Sequence, residues 1–145
     1  VERTVFEMGD TRFAVLICWE NLFPDLFQDI AGRGVHFVVS MTNEAFTDSA
    51  IAHRQMLAMN VFRAVENRVP IARPASTGIS AFVDAWGRIR KSVPTEVTAR
   101  LVAELPLSSE RTFYTRHGDV FAGAAALAFT GLAGLALRRG SGSGV

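Results

Sequence analysis

The stretch Phe13-Ala-Val-Leu-Ile-Cys-Trp-Glu20 carries the strongest fold signal in this chain of 145 residues. Its apolar run predicts a buried strand that ends at Cys18, and Asn21-Leu-Phe-Pro-Asp25 then predicts the start of a helix. A thiol at such a junction is presented at the edge of the sheet, where a helix N-terminus favours its thiolate. The local sequence leaves two interpretations open, a nucleophile or an inert buried thiol, because free cysteine is among the most buried residue types.

The composition excludes several classes of protein. The formal net charge of +1 gives no electrostatic footprint for nucleic acid, so we predict no nucleic-acid partner. A single cysteine excludes an internal disulfide bond. The hydrophobic fraction of 49% is near the average for soluble proteins, although the apolar excess is concentrated near the C-terminus. We predict neither a metal nor a cofactor.

Strand and helix signals alternate along the first part of the chain, which predicts an α/β fold, and strands dominate after Pro70. Strands are predicted at residues 4–8, 12–17, 35–39, 71–73, 79–84, 87–92 and 98–104. A first helix is predicted from Pro24 to about Gly32, and a longer one from Ala50 to Glu66. The longer helix is predicted to face the sheet with two apolar rows, Leu57-Val61-Val65 and Met56-Met59-Phe62. Residues 76–78 form either an ordinary turn or a loop that offers backbone donors to a ligand.

Residues 120–137 form an uncharged run in which Thr130 is the only polar side chain. As a helix this run reaches about 27 Å, close to the bilayer core of about 30 Å. We predict a membrane span at 120–137, with a buried alanine-rich core helix as the alternative. Arg138-Arg139 follow the run, and the positive-inside rule then predicts a cytoplasmic C-terminus with the globular part on the outer face. Residues 138–145 are predicted to be a disordered tail.

Four segments occur in the order and approximate spacing of the carbon–nitrogen hydrolase (nitrilase) superfamily, which the chain resembles. They are Leu16-Ile-Cys-Trp-Glu20, Ser40-Met-Thr-Asn-Glu-Ala-Phe46, Arg63-Ala-Val-Glu-Asn-Arg-Val-Pro70 and Arg73-Pro-Ala-Ser-Thr-Gly-Ile-Ser80. The resemblance implies an α-β-β-α sandwich and a Glu-Lys-Cys triad. We therefore expect the C-terminal half of a nitrilase-like sandwich at residues 1–107, a connector at 108–119 and one transmembrane helix.

The segment Phe113-Tyr-Thr-Arg-His-Gly-Asp119, followed by the apolar run, resembles the C-terminal end of the apolipoprotein N-acyltransferase family. That resemblance implies a bacterial inner-membrane enzyme with a periplasmic nitrilase domain. Such an enzyme moves an acyl chain from a phospholipid donor to the N-terminal cysteine amine of a lipoprotein acceptor. The alternatives are an amidase that hydrolyses a small C–N substrate and a non-catalytic, membrane-anchored remnant.

The resemblance also assigns roles to individual residues around the strand-to-helix junction. Cys18 is expected to be the nucleophile and the backbone N–H of Trp19 an oxyanion donor. An ionised Glu20 can only accept hydrogen bonds, so it is expected to be a supporting residue that orients its neighbours, with a solvated charge at the start of the helix as the alternative. The predicted substrate-binding residues are Phe23, Asn43 and Phe46. Of these, Phe23 and Phe46 are predicted to line an acyl-chain entrance together with Trp19, with packing in the core as the alternative for each ring.

The chain departs from the family pattern in its charged residues. The resemblance implies a general-base glutamate and a lysine upstream of the cysteine, yet only Glu2 and Glu7 precede Cys18 and the single lysine is Lys91. We therefore expect this chain of 145 residues to hold only part of an active site and to be inactive on its own. The smaller departures are Glu44 in place of aspartate or another small polar residue, Phe46 in place of tryptophan and Ser76 in place of asparagine.

Overall fold

A six-stranded mixed sheet organises the computed structural model, which describes residues 4–140. Its strands are β1 (Val5–Met8), β2 (Thr11–Ile17), β3 (Phe37–Met41), β4 (Ile71–Arg73), β5 (Ser80–Val83) and β6 (Ile89–Val93). They lie side by side in chain order, with β2, β3 and β4 parallel and the other neighbours antiparallel. Because Ile17 pairs with Met41, the carboxyl ends of β2 and β3 lie level at one edge of the sheet.

Helices connect the parallel strands. A 3₁₀ helix at Cys18–Leu22 follows β2 directly, and the α-helices are α1 (Pro24–Gly32), α2 (Ala50–Asn67), α3 (Phe113–His117) and α4 (Val120–Gly140). Pro24 opens α1, where its fixed φ suits the first helical turn. Ser49 caps α2 by accepting a hydrogen bond from the Ala52 N–H at 3.4 Å. The predicted α/β class and both helices of the globular part are confirmed.

The hydrophobic core lies between one face of the sheet and helices α1 and α2. Strand alternation turns Ala14 and Leu16 of β2 toward this core, while Phe13 and Val15 point to the opposite face. The largest apolar residues of the core are Leu16, Phe27, Ile30, Val35, Val38, Leu57, Val69, Ile71 and Val83. Each such buried side chain stabilises the fold by about 1.5–3 kcal/mol relative to exposure.

The opposite face of the sheet carries aromatic side chains. Phe6, Phe13 and Phe37 stack across β1, β2 and β3 with ring centroids 5.3 and 5.1 Å apart. Phe6 remains 43% exposed at the β1 end of this ladder. Helices α1 and α2 thus form one layer against one face of the sheet.

Two strand predictions need correction. The strand predicted at 35–39 runs from Phe37 to Met41, because its parallel pairing with β2 starts at Phe13 and continues to Ile17. Within the described part of the chain, residues 98–104 form no strand. Leu101 and Ala103 alternate with exposed neighbours as a strand would. The contact with β6, however, is a hydrogen bond from the Lys91 side chain to the Val102 carbonyl at 2.7 Å rather than a backbone ladder.

The buried face of α2 differs from the predicted apolar rows. Phe62 and Val65 point outward and are 55% and 39% exposed. The buried stripe follows helical spacing and combines apolar with polar residues: His53, Leu57, Asn60, Arg63, Ala64 and Asn67. The polar members are tolerated because several find partners, as buried polar groups must. One example is Asn67, whose Oδ1 accepts a hydrogen bond from the Thr115 hydroxyl at 3.0 Å.

Helix α3 docks on the ends of α1 and α2. The Gln28 amide of α1 donates to the Tyr114 carbonyl at 3.1 Å. Thr112 caps α3 by accepting from the Thr115 N–H at 3.0 Å, and its hydroxyl donates to the Glu66 carbonyl at the end of α2. These bonds fix where the chain leaves the globular part.

Helix α4 includes the predicted span and extends beyond it. Its side chains are largely exposed, with Phe121 at 85% and Leu127 at 75%. Within residues 4–140 the structure contains no helix with the length and apolar character needed to cross a membrane, so the predicted span is not confirmed. Residues 138–140, predicted as the start of a disordered tail, are helical, and residues 141–145 lie outside the described part of the chain.

Candidate active site

Cys18 lies at the junction of β2 and the 3₁₀ helix, as the sequence predicts. Its backbone has φ +56°, a left-handed conformation that costs a residue other than glycine about 1–3 kcal/mol. The thiol is free and half-buried. A sharp turn of this kind lifts a side chain out of the sheet's edge, and ligands of α/β proteins bind beyond the carboxyl ends of parallel strands. The strained backbone, the free thiol and the place at the sheet's edge make Cys18 a candidate nucleophile.

Glu20 holds the turn in place. Its Oε2 accepts a hydrogen bond at 2.7 Å from the backbone N–H of Ile17, the residue that precedes Cys18. This bond fixes the entry to the 3₁₀ helix. Because the carboxylate is hydrogen-bonded to the backbone, Glu20 is better suited to orienting its neighbours than to acting as a base.

The loop after β3 approaches the Cys18 turn through an aromatic contact. The rings of Trp19 and Phe46 lie 5.5 Å apart at 32°, and both side chains are more than half exposed. Asn43 is exposed, and its Oδ1 accepts from the Ala45 N–H at 3.1 Å, which shapes the loop. Phe23 is 56% exposed at the start of α1, and within residues 4–140 no ring contact joins it to Trp19 or Phe46. The structure thus brings Trp19 and Phe46 together and leaves Phe23 apart from them.

A cavity of about 580 Å³ lies on the face of the sheet opposite the core, between β4, β5 and residues 93–101. Its described lining includes Ser76 and Thr77, from the segment expected to be either a turn or a loop that offers backbone donors, and excludes Cys18. A concave shape alone would make this cavity the candidate site. The strained cysteine and its neighbours are the stronger candidate because they carry a group able to react.

A buried charged cluster beneath the site is absent from the sequence predictions. Glu44 is fully buried, and its Oε2 lies 2.7 Å from Nδ1 of His53. Arg73 donates to the other oxygen, Oε1, and is itself 2% exposed. Burial lowers the pKa of Arg73, and the charge of Glu44 and its hydrogen bond partly restore it. The sequence signal that could have revealed the cluster is the placement of two charged residues at the carboxyl ends of parallel strands, Arg73 as the last residue of β4 and Glu44 three residues after β3.

Two ionisable groups with shifted pKa values lie away from Cys18. Burial raises the pKa of Asp84, but N–H groups of Arg88 and Trp86 and the Arg90 guanidinium lower it more, so the net pKa lies below its usual value. The other group is Glu66 at the end of α2, whose pKa is raised by burial. The Arg63 guanidinium, 2.9 Å away, lowers this pKa, and the charge of Asp119 raises it. The net pKa of Glu66 lies above its usual value.

The amino-acid sequence is similar to that of known proteins. The carbon-nitrogen hydrolase family matches residues 1–114. The "Apolipoprotein N-acyltransferase" of Geobacter metallireducens is 41% identical over 135 residues, which cover 93% of this chain and 26% of that protein. The "Apolipoprotein N-acyltransferase 1" of Treponema denticola is 34% identical over 122 residues, covering 83% of this chain and 22% of that protein. The chain thus spans about a quarter of the length of these curated relatives.

Comparison with solved structures agrees with the fold. A glutamate-to-glutamine mutant of the amidase from Nesterenkonia sp. AN1 is 25% identical with a TM-score of 0.53, covering 65% of this chain and 39% of the amidase. That crystal structure shows the result of acrylamide addition at the active site cysteine of the amidase. The similarity extends to somewhat more than a third of that enzyme.

Proposed function

This chain belongs to the carbon–nitrogen hydrolase family, and from that premise we propose that it forms part of a lipoprotein N-acyltransferase with Cys18 as its nucleophile. The names of the relatives from Geobacter and Treponema support the reaction class. The observation that carries the choice of nucleophile is the left-handed backbone of Cys18 at the edge of the sheet. The active site cysteine of the related amidase supports the same choice.

The proposed chemistry is an acyl transfer in two steps. The Cys18 thiol passes its proton to the general base, and the resulting thiolate attacks the carbonyl carbon of a phospholipid ester. A C–S bond forms, the ester C–O bond breaks, and the lysophospholipid alkoxide takes the proton back from the base. The N-terminal amine of a lipoprotein then attacks the thioester, forming the amide C–N bond, losing a proton and regenerating the thiol. A covalent intermediate divides one difficult transfer into two easier ones.

The residues next to Cys18 are proposed to support these steps without taking part in bond making. The Trp19 N–H lies in the first turn of the 3₁₀ helix, where backbone donors have no helical partner and can face a developing oxyanion. Glu20 would keep the turn closed through its hydrogen bond to Ile17. Trp19 and Phe46 would receive the acyl chain on their exposed rings, with Asn43 and Phe23 at the margin.

The general base and the lysine of the triad are proposed to come from outside these 145 residues. Lys91 lies on β6, four strands from β2 and thus about 19 Å away at the usual strand spacing. Its amine donates to the Val102 carbonyl. Glu7 lies on β1 opposite Arg12, with its carboxylate 3.7 Å from the guanidinium. The quarter-length coverage of the relatives supports this division of the site.

Helix α4 is proposed to lie in the inner membrane, with the globular part in the periplasm. The absence of charge from residues 120 to 137 and the exposure of Phe121, Leu127 and Phe129 support contact with lipid. Arg138 and Arg139 support a cytoplasmic C-terminus. A reporter fused after Val145 tests the orientation, since cytoplasmic activity is expected and periplasmic activity would contradict it.

The decisive experiment traps the thioester in the full-length protein with a radiolabelled phospholipid. Wild type is expected to give a label on the Cys18 peptide that hydroxylamine removes, and Cys18→Ser is expected to transfer no acyl chain. The matched control moves the thiol: Cys18→Ser combined with Ser92→Cys places it on an exposed position of β6 and should remain unlabelled. Transfer by Cys18→Ser, or equal labelling of the relocated thiol, would refute the assignment.

An amidase is the second candidate, favoured by the family match and by the related amidase structure. The same Cys18 thioester would then form from a small amide with loss of ammonia and be cleaved by water. Release of ammonia from short aliphatic amides, without transfer from phospholipid to a lipopeptide, would select this candidate over the acyltransferase.

A further inference from the structure

The loop that carries Phe46 (residues 43–49) is attached to the interior of the protein through one buried side chain. Between Asn43 and Ala50 the only buried residue is Glu44, and Asn43, Ala45 and Phe46 are exposed around it. The loop is otherwise held by its own turns, in which the Thr47 N–H donates to the Glu44 carbonyl at 3.2 Å. The position of Phe46 therefore depends on where the Glu44 carboxylate is anchored.

That carboxylate is anchored by two separate elements. His53 reaches it from the first turns of α2, and Arg73 reaches it from the end of β4. Arg73 also donates to the Ile79 carbonyl, so the same guanidinium ties down the loop after β4. A carboxylate that accepts from two directions has little rotational freedom, and bidentate or charge-assisted contacts of this kind fix geometry as well as energy.

The loop after β4 closes over the carboxylate from a third side. Thr42 pairs with Ala75 in an isolated bridge, and the Ser76 N–H donates to the Thr42 carbonyl at 3.0 Å. Gly78 then passes so close that a Cβ there would meet the Glu44 carboxyl carbon at 2.5 Å. Glu44 is thus enclosed where the chain continues from β3 and β4, beside the strand that leads to Cys18.

We propose that Glu44 is a positioning residue for the nucleophile, acting through Phe46 and Trp19. With its anchors in place, the carboxylate sets the loop so that the Phe46 ring lies 5.5 Å from the Trp19 ring. Trp19 follows Cys18 directly, so this contact holds the backbone that would bind the oxyanion. Glu44 itself is buried, and its carboxylate bonds to His53 and Arg73, so its proposed effect on Cys18 is indirect. The proposal rests on the proposed function for its kinetic consequence and on geometry for its structural one.

The test measures the Trp19 environment and the acylation rate separately in the full-length protein. Biosynthetic 5-fluorotryptophan gives one ¹⁹F resonance for Trp19, assigned by its loss in Trp19→Phe. Phe46→Leu marks where this resonance lies when the stacked ring is gone. Glu44→Gln keeps the size of the side chain and removes its charge. It is expected to move the resonance toward the Phe46→Leu position and to lower kcat for acylation of Cys18 by about tenfold or more, since small misplacements are costly.

Asp84→Asn is the matched control. Asp84 is also fully buried and pairs with Arg90 at 2.8 Å, but it lies at the β5–β6 turn, away from Cys18. This variant is expected to lower thermal stability while leaving the Trp19 resonance and the acylation kcat unchanged. Glu44→Asp, which keeps the charge on a shorter side chain, is expected to fall between wild type and Glu44→Gln in both measurements.

The outcomes separate the positioning proposal from the proposed function. An unmoved Trp19 resonance in Glu44→Gln would overturn the positioning role whatever the enzyme catalyses. A shift as large in Asp84→Asn would show a general loss of stability and overturn it as well. If Glu44→Gln does not fold, Glu44→Asp and His53→Gln are judged by the same resonance, and failure of all three to fold would assign the cluster to the fold alone. A moved resonance in a protein without acyl transfer would support the positioning role and refute the acyltransferase.

Discussion

Replacing Gly78 with alanine tests how rigidly the buried carboxylate is held. A Cβ at position 78 would lie 2.5 Å from the Glu44 carboxyl carbon and 3.1 Å from Oε1, and closer still to Oε2. A free side chain could swing away at little cost. Glu44 cannot do so without leaving His53 or Arg73, because both partners are 5% exposed or less and have little room to follow.

The expected cost follows from the contact that must break. Separating one partner from a buried ion pair costs about 3–5 kcal/mol, and part of this is recovered if the loop at residues 75–78 shifts. We expect a loss of about 3 kcal/mol, and at about 2–4 °C per kcal/mol for a domain of 150–250 residues the melting temperature should fall by roughly 6–12 °C. Gly32→Ala is the control, since nothing lies within 4 Å of a Cβ there and the residue is helical. Its stability should be unchanged or higher by about 0.4–1 kcal/mol.

The assay is thermal unfolding of the full-length protein in detergent, repeated in a Glu44→Ala background. Glu44→Ala removes the carboxylate that the new methyl group would meet, so the further cost of Gly78→Ala should nearly vanish. Such non-additivity is expected for residues in direct contact. An equal cost of Gly78→Ala in both backgrounds would refute the argument, because the clash would then involve something other than Glu44.

Three further predictions concern the rest of the fold. The lowered pKa of Asp84 means that its contribution to stability is present above about pH 3.9 and lost as the pH falls through the lower folded pKa. Asp84→Asn should therefore flatten the acid limb of a melting curve against pH, and an unchanged limb would contradict the shift. The raised pKa of Glu66 has the opposite sign, so the stability it contributes below about pH 4.3 is lost as the pH rises through the folded pKa. Glu66→Gln should remove that decline, which the same pH series measures. Thr112→Val deletes the cap of α3 and should cost about 1 kcal/mol in thermal unfolding, whereas Thr98→Val in an exposed segment should cost less.

The sequence predicts the centre of this fold well because the signals there are local. An apolar strand, a cysteine and a proline-led helix are adjacent in the chain, and the structure places Cys18 at their junction. The strand pair around Gly9, helix α1 and strand β4 follow from signals of the same kind. The contact between Trp19 and Phe46 follows from the parallel pairing of β2 with β3, which sets the two loops side by side.

The features that the sequence does not predict depend on contacts between residues that are distant in the chain. Glu44 occupies a polar loop and looks exposed in the sequence, because its partners His53 and Arg73 are 9 and 29 residues away. The apolar rows of α2 predict the wrong buried face of that helix for the same reason. Asn60 and Arg63 are buried and Phe62 is not, which depends on what the rest of the fold offers as partners. Residues 98–104 have strand-like alternation, but alternation cannot supply a neighbouring backbone to pair with.

The order of the strands has a consequence for how the chain assembles during synthesis. Among the described strands, each of β2 to β6 pairs with the one made just before it, so these strands can add in turn at a single advancing edge. Domains fold as they emerge at about 5–20 residues per second, and such a sheet needs no segment from later in the chain to complete an earlier pair. The longest interval falls between β3 and β4, while α2 is being made. During that interval the edge of β3, with Val38 and Val39, is the surface most exposed to pairing with another nascent chain.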